Sequence, residues 1–173
     1  MPKLAPLKVK SLKNSGKNEY DEEIQQEIER QAAKHGIVMP VLAEINIGGE
    51  ASKSGIEPEK IYDFCDFLAS LPHLKLRGLM AVPPKCEKSE NNREYFCKMK
   101  KIFIDISCKN VDNSIMDILS LGMSDDYLTA VDCGSNLVRV GSSIFGTSTF
   151  GISTFGISIL TPIPPLLLPP FPL

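Results

Sequence analysis

The sequence has few of the residues that most catalytic and metal-binding sites require. Only two histidines occur among its 173 residues, His35 and His73, and neither lies in a context that resembles a nucleophile site. The five cysteines contain no CxxC pair, their number is odd, and the first residues do not resemble a signal peptide. We therefore expect no metal site, and we expect reduced thiols in a cytoplasmic protein.

An excess of charge of one sign is also lacking. The chain has 19 Lys and Arg residues against 21 Asp and Glu residues, for a net charge of -2. Nucleic acid favours a strongly basic face, and anionic membranes attract basic clusters. The composition therefore argues against both partners, and it leaves the oligomeric state open. Hydrophobic residues make up 43% of the chain, which is enough for the core of one ordinary domain.

Charged residues are absent from the end of the chain, residues 141–173. Residues 145–159 repeat a five-residue pattern, FGTST, FGIST and FGISI, and residues 161–173 hold six of the 13 prolines. Proline at this density breaks helices, and the uninterrupted apolar run is too short to span a bilayer. We interpret residues 147–173 as a disordered, low-complexity extension.

Helix and strand patterns alternate over residues 20–146, which we predict to be the folded domain, whereas residues 1–19 are polar, basic and weakly patterned. The predicted helices cover Tyr20–His35, Pro58 to about Leu71, Ser89 to about Ser107, and Ser124 to about Gly134. The predicted strands are Val41–Ile47, Leu76–Val82, Ile115–Leu121 and Leu137–Val140. The alternation indicates an α/β architecture with a parallel sheet. It does not separate a barrel from an open sheet, and four strands are too few to close an eight-stranded barrel.

Two loops rich in backbone N–H groups follow the last two predicted strands. One contains Gly122, Met123 and Ser124, and the other contains Gly141 and Ser142. Adjacent loops at the carboxyl ends of parallel strands commonly bind phosphate in β/α proteins. The sequence therefore predicts a small phosphorylated ligand, although a turn glycine with surface serines explains the second loop equally well.

Ser124 has two compatible interpretations. As the N-cap of the following helix, it would satisfy backbone N–H groups. As a ligand residue, its hydroxyl would face an anion at the helix N-terminus. Asp125 and Asp126 would repel phosphate in that first turn unless their side chains point outward.

Polar residues inside or just after the predicted strands are further candidates. Arg139 lies in an apolar strand and needs a partner, which is either a buried ion pair or a ligand. Asn46 and Met80 either line a ligand pocket or belong to the core. Lys53 follows a strand in a polar loop, where it is either exposed to solvent or in contact with a ligand.

Four segments together resemble the pyridoxal-phosphate homeostasis proteins, which are related to the N-terminal barrel of alanine racemase. The segments are VLAEINIGGEASKSGI, LKLRGLMAVP, LSLGMSDDY and LVRVGSSIFG, and their order and approximate spacing match. The resemblance covers about residues 20–146 and corresponds to the C-terminal part of a family member. It implies a partial (β/α)8 barrel that binds pyridoxal 5′-phosphate (PLP), acts as a carrier or regulator of the cofactor, and has no established catalysis.

The resemblance also implies roles for single residues. The phosphate would be cradled by Gly122, Met123 and Ser124, helped by Gly141 and Ser142. Arg139 would meet the pyridine nitrogen, which disfavours the protonated ring that racemases need as an electron sink. Asn46 lies in the first matching segment, and we predict that it lines the cofactor pocket.

The family's covalent cofactor lysine and the segments around it are not recognisable here. Matching Lys8, Lys10 or Lys13 to that lysine would be a guess, so we expect a truncated member with noncovalent, weaker binding. An opened barrel would also leave unpaired strand edges. Two alternatives stay open: a racemase-like barrel enzyme, for which Tyr127 is the one plausible acid or base, and a nonfunctional fragment or one that pairs with a second chain.

Overall fold

The computed structural model of the chain describes residues 22–85, 89–109 and 111–146. The predicted amino-terminal segment 1–19 and the predicted extension 147–173 lie outside the described residues. Tyr20, the first residue of the predicted domain, also lies outside them.

Four parallel strands alternate with helices along the described chain, which confirms the predicted α/β architecture. The strands are β1 (Met39–Ile45), β2 (Leu74–Ala81), β3 (Ser114–Met123) and β4 (Leu137–Arg139), and they form one sheet in the order β1-β2-β3-β4. The helices are α1 (Glu22–Lys34), α2 (Ile61–Ala69), α3 (Arg93–Cys108), α4 (Tyr127–Asp132) and α5 (Ser142–Phe145). Parallel strands in sequential order with helical connections have the arrangement of part of a (β/α)8 barrel.

The core lies between the sheet and the helices. Helix α2, which lies within the helix predicted from Pro58 to about Leu71, buries Ile61, Phe64 and Leu68 on one face. Other large buried side chains come from α3 and from strands β1, β2 and β3, among them Phe96, Met99, Ile106, Ile45, Leu76, Leu79, Leu119 and Leu121. Apolar burial on this side holds the strands in place, so that all four carboxyl ends lie at one edge of the sheet.

The other face of the sheet is polar where β2 and β3 begin. Arg77 follows the buried Leu76, and it binds the carboxylate of Asp117 on β3 through two hydrogen bonds, one of 2.6 Å from Nε to Oδ1. Both side chains keep about a third or more of their surface exposed.

In the described residues, no helix is long and apolar enough to cross a membrane.

The ends of several elements differ from the prediction for local reasons. Strand β1 ends at Ile45 rather than Ile47, because the backbone N–H of Asn46 turns to bond the carbonyl oxygen of Ile56. Helix α2 begins at Ile61 because Pro58–Lys60 form a 3-10 turn. The same applies to α3, which follows a 3-10 turn at Ser89–Asn92.

Candidate functional site

Ser124 joins the two loops that were predicted to bind phosphate. Its hydroxyl oxygen accepts hydrogen bonds from the backbone N–H groups of Gly141, at 3.1 Å, and Ser143, at 3.3 Å. The hydroxyl of Ser143 donates to the carbonyl oxygen of Ser124 at 3.4 Å. Two N–H groups from the β4 loop therefore converge on one oxygen, and backbone groups arranged in this way are suited to hold an anion.

The predicted capping role of Ser124 is wrong. Strand β3 continues to Met123, and helix α4 begins only at Tyr127 with Asp126 as its N-cap residue. Ser124 therefore lies outside the helix, and its hydroxyl is free to contact the neighbouring loop. The predicted interaction of Ser124 with a helix N-terminus is therefore absent at this position.

The carboxylate of Asp126 stabilises the loop after β3 by accepting two hydrogen bonds. Its carboxylate accepts a 2.7 Å hydrogen bond from the backbone N–H of Met123 and a 2.8 Å hydrogen bond from the side-chain amide of Asn92. The residue is buried, whereas Asp125 is exposed. The condition that both carboxylates point outward is therefore met by Asp125 and not by Asp126, and the Met123 N–H is bonded within its own loop.

Gly122 lies where helix α4 packs against the end of β3. Its φ is +87°, a backbone conformation that side chains disfavour. A Cβ atom there would lie 2.6 Å from the Cβ of Ala130 and 2.9 Å from the Cα of Tyr127. The glycine therefore allows the close approach of α4 and, through it, fixes the position of the Ser124 loop.

Arg139 reaches from the end of β4 past β3 to the end of β2. Its Nη2 donates a 3.0 Å hydrogen bond to the carbonyl oxygen of Ala81, whereas its Nε is buried and has no hydrogen-bond partner among the described residues. No carboxylate oxygen of the described residues lies within 4.0 Å of it, so the predicted alternative of a buried ion pair is not observed. Burial lowers the pKa of Arg139, while Glu44 and Asp126 act in the opposite direction.

Gly141 and Ser142 border open space. A Cβ built on Gly141 would have no atom within 4 Å, and the φ of this residue is -126°. Ser142 begins α5 with an exposed side chain. The space beside Gly141 is thus not filled by the described part of the protein, and it adjoins the N–H groups that converge on Ser124.

Asn46 and Lys53 organise the loop after β1. The Asn46 side chain is buried, donates to the carbonyl oxygen of Glu50 at 2.8 Å, and accepts from the Glu50 N–H at 3.2 Å. Lys53 Nζ pairs with Glu50 at 2.6 Å and donates to the carbonyl oxygen of Pro83 at 2.9 Å. Asn46 therefore holds its own loop, and Lys53 links that loop to the residues that follow β2. Met80 is half-buried in β2, in register with Glu44.

Ser135 and Asn136 position β4, and sequence reasoning missed them. The buried Ser135 hydroxyl accepts from the N–H of Leu121 at 3.1 Å and contacts the carbonyl oxygen of Leu119 at 3.0 Å. The Asn136 amide spans the Leu119 N–H and the Asp117 carbonyl oxygen, at 2.8 and 2.7 Å. The available signal was a polar Ser-Asn pair between a turn glycine and an apolar strand.

Comparison with known proteins gives a consistent match. The family model described as alanine racemase, N-terminal domain, matches residues 20–149. A protein of Aquifex aeolicus named pyridoxal phosphate homeostasis protein is 38% identical over 120 residues, which are 69% of this chain and 52% of that protein. A protein of the same name from Haemophilus influenzae is 43% identical over 106 residues, 61% of this chain and 44% of that protein.

A solved structure supports the fold. PipY of Synechococcus elongatus, whose structure is described as having PLP bound, superposes with a TM-score of 0.62 at 22% identity. The match covers 72% of this chain and 57% of PipY. The chain spans about half the length of the curated relatives it matches.

Proposed function

The chain belongs to the alanine racemase N-terminal domain family, and from this premise we propose that it binds pyridoxal 5′-phosphate in the service of intracellular PLP homeostasis. The names of the relatives and the PLP-bound PipY structure support this ligand. The observation that carries the proposal is the convergence of two backbone N–H groups on Ser124 Oγ. A second observation supports it: the Nε of Arg139, two residues before Gly141, is buried and has no hydrogen-bond partner in the described part of the chain.

The phosphate would lie against Ser124 and the loop after β4. The N–H groups of Gly141 and Ser143 already point at one oxygen atom, and a phosphate oxygen is a stronger acceptor than a hydroxyl. Open space beside Gly141 leaves room for the group, and Ser142 adds an exposed hydroxyl there. Gly122 and Met123 would support the phosphate site indirectly. Gly122 allows α4 to pack closely against the end of β3, and the N–H of Met123 is hydrogen-bonded to Asp126.

The pyridine ring would extend from the phosphate toward Arg139. Nε is a donor without a partner, and burying such a donor is unfavourable unless a ligand atom satisfies it. The pyridine nitrogen is an acceptor when it is unprotonated, and a guanidinium beside it keeps it so. PLP supplies a reactive aldehyde and a ring that can accept electrons, and Arg139 would weaken the second property.

We propose that the chain binds PLP and does not catalyse a reaction with it. Catalysis on amino acids needs a positioned proton donor and acceptor. His35 and His73 precede β1 and β2, so they lie at the edge of the sheet opposite the strand ends that form the site. His73 is also engaged by Glu29, with 2.6 Å between Nδ1 and Oε1. These placements favour a carrier or regulator over a racemase-like enzyme, and we propose that it acts in the cytoplasm.

A dialysis experiment tests the proposal. The purified chain is equilibrated with PLP and, separately, with pyridoxal, which lacks the phosphate. We expect PLP to bind more tightly, and we expect Ser124→Ala to weaken PLP binding roughly fivefold, because a hydrogen bond is worth about 1 kcal/mol. Ser70→Ala is the matched control, since that hydroxyl caps a distant helix at Phe67. Equal affinity for PLP and pyridoxal would contradict the phosphate cradle.

Two further variants separate binding from folding. Gly141→Val would place its methyl groups in the open space beside the cradle, so we expect it to fold and to lose PLP affinity. Borohydride reduction followed by peptide mapping then reports covalent attachment. Because Lys53 is engaged by Glu50 and Pro83, we expect no dominant labelled lysine. A single labelled site that depends on Ser124 would overturn the noncovalent part of the proposal.

A further inference from the structure

Two cysteine sulfurs lie against each other at the contact between α3 and α4. Cys97 is in the second turn of α3, and Cys133 directly follows the last residue of α4. Their Sγ atoms are 3.6 Å apart. This is the distance of two thiols in contact. Side-chain rotations that shorten the distance between the sulfur atoms by about 1.5 Å would allow a disulfide bond of about 2.0 Å to form.

Both sulfurs are accessible from solvent to different degrees. Cys97 is exposed and Cys133 is partly exposed, whereas Cys65 is buried. Arg93 lies one helical turn before Cys97 on α3. Its Nη1 is 3.9 Å from Cys133 Sγ, and its Nη2 is 3.1 Å from the carboxylate of Asp132. The cation thus holds the end of α4 next to α3, which keeps the two sulfurs facing each other.

We propose that Cys97 and Cys133 are a reversible thiol–disulfide pair that covalently fastens α4 to α3. The exchange partner is a small-molecule disulfide of the glutathione class. The exposed Cys97 thiolate attacks one sulfur of that disulfide, and a mixed disulfide forms as the first glutathione thiolate leaves. The Cys133 thiolate then attacks the Cys97 sulfur and releases the second glutathione. The protein loses two protons and two electrons, and the glutathione disulfide gains them as two thiols.

The environment of Cys133 sets the expected chemistry. Burial is the largest cause that raises the pKa of Cys133, to about 11, followed by its contact with Cys97, while Arg93 opposes the shift. A thiol of this kind is a poor attacking group by itself. The pair is therefore suited to slow exchange with a disulfide pool, initiated at Cys97, rather than to a fast reaction with peroxide.

The bond would restrain an element that supports the proposed phosphate site. Helix α4 packs directly on Gly122, and its N-cap residue Asp126 already contacts Asn92 at the start of α3. A second, covalent link at the other end of α4 would reduce its local opening. The pairing itself does not rest on the proposed function and can be tested without PLP.

Peptide mapping after oxidation is the test. The full chain is incubated with glutathione disulfide, remaining thiols are blocked under denaturing conditions, and the protein is digested with trypsin. We expect the peptide Glu94–Lys98 to be linked to the peptide Asn110–Arg139, with the loss of two hydrogen atoms and reversal by a reducing thiol. Hydrogen exchange within α4 should slow in the oxidised chain. A stable glutathione adduct on Cys97 alone, or links that join other cysteines equally often, would overturn the proposal.

Two variants make the result specific. Cys133→Ser should leave a glutathione adduct on Cys97 and abolish the linked peptides. Cys108→Ser is the matched control, because Cys108 is also exposed and lies on α3, at its last turn. That variant should form the link to the same extent as the unchanged chain, and failure to do so would show nonspecific oxidation.

Discussion

Asp126 accepts a 2.8 Å hydrogen bond from Asn92 in a buried contact that ties the end of β3 to the start of α3. The same carboxylate accepts the backbone N–H of Met123 at 2.7 Å. Both donors depend on this one side chain, and burial makes a lost acceptor costly. Asp126 therefore holds the loop that presents Ser124, although it does not face the open side of the site.

Substitution of Asp126 should reveal this structural role. Asp126→Ala removes both hydrogen bonds and leaves one buried donor, on Asn92, and one part-buried donor, on Met123, without this partner. We therefore expect the free energy of unfolding to fall by roughly 1–3 kcal/mol. Urea denaturation measures the loss. Asp125→Ala is the matched control at an exposed position, where a change within about 0.5 kcal/mol is expected. Equal effects of the two substitutions would show that the buried contact adds nothing.

Gly122 should tolerate no side chain, even though it lies in a loop predicted to touch the ligand. Gly122→Ala places a methyl group 2.6 Å from Ala130 Cβ and forces alanine into a φ of +87°. Overpacking and backbone strain each cost about 1–3 kcal/mol. We expect a lower urea midpoint, and Gly141→Ala, which meets no atom within 4 Å, is the control. A midpoint unchanged by Gly122→Ala would contradict the close packing of α4.

The regular parts of the fold were accessible from sequence because their signals are periodic. The helical spacing of Ile61, Phe64 and Leu68 and the short apolar runs of the four strands predicted the elements and their alternation. Boundaries were less accessible, because they depend on contacts far along the chain. Strand β1 ends where Asn46 bonds Ile56, and α4 starts late because Asp126 is held by Asn92.

The sequence predicted which two loops form the candidate site, but it predicted only some of the contacts within it. The two loops do meet, and the contact runs through Ser124, Gly141 and Ser143. No local pattern could show that Asp126 points inward or that Arg139 reaches across to Ala81, since both partners come from other strands or helices.

The ion pair between Arg77 and Asp117 should make stability depend on acidity. Hydrogen bonding to Arg77 is the main cause that lowers the pKa of Asp117 below its ordinary value of 3.8. Because the pKa of Asp117 is lower in the folded than in the unfolded state, the ion pair adds to the free energy of unfolding above pH 3.8. This contribution is lost as the pH falls through the pKa of the folded state. Because the pair is partly exposed, the contribution is small and weakens in salt.

Thermal unfolding across this pH range checks the pair. We expect Asp117→Asn to lower the melting temperature at about pH 6, and we expect its difference from the unchanged chain to shrink as the pH falls below 3.8. Asp125→Asn, which removes an exposed carboxylate elsewhere, should not change the shape of the curve. A constant difference between Asp117→Asn and the unchanged chain at all pH values would assign the effect to packing instead.

Arg139 offers the sharpest separation of ligand binding from folding. Arg139→Met removes a guanidinium that, within the described residues, donates a hydrogen bond to the Ala81 carbonyl oxygen and has a buried Nε without a partner. Because burying the charge is itself unfavourable, we expect the urea midpoint to change little. PLP affinity should fall roughly tenfold or more, since a hydrogen bond from a charged group is worth about 1.5–3 kcal/mol. Arg30→Met is the control, because the exposed Arg30 pairs with Glu27 on its own helix, α1. Retained PLP affinity together with a large loss of stability would assign Arg139 to the fold and remove it from the site.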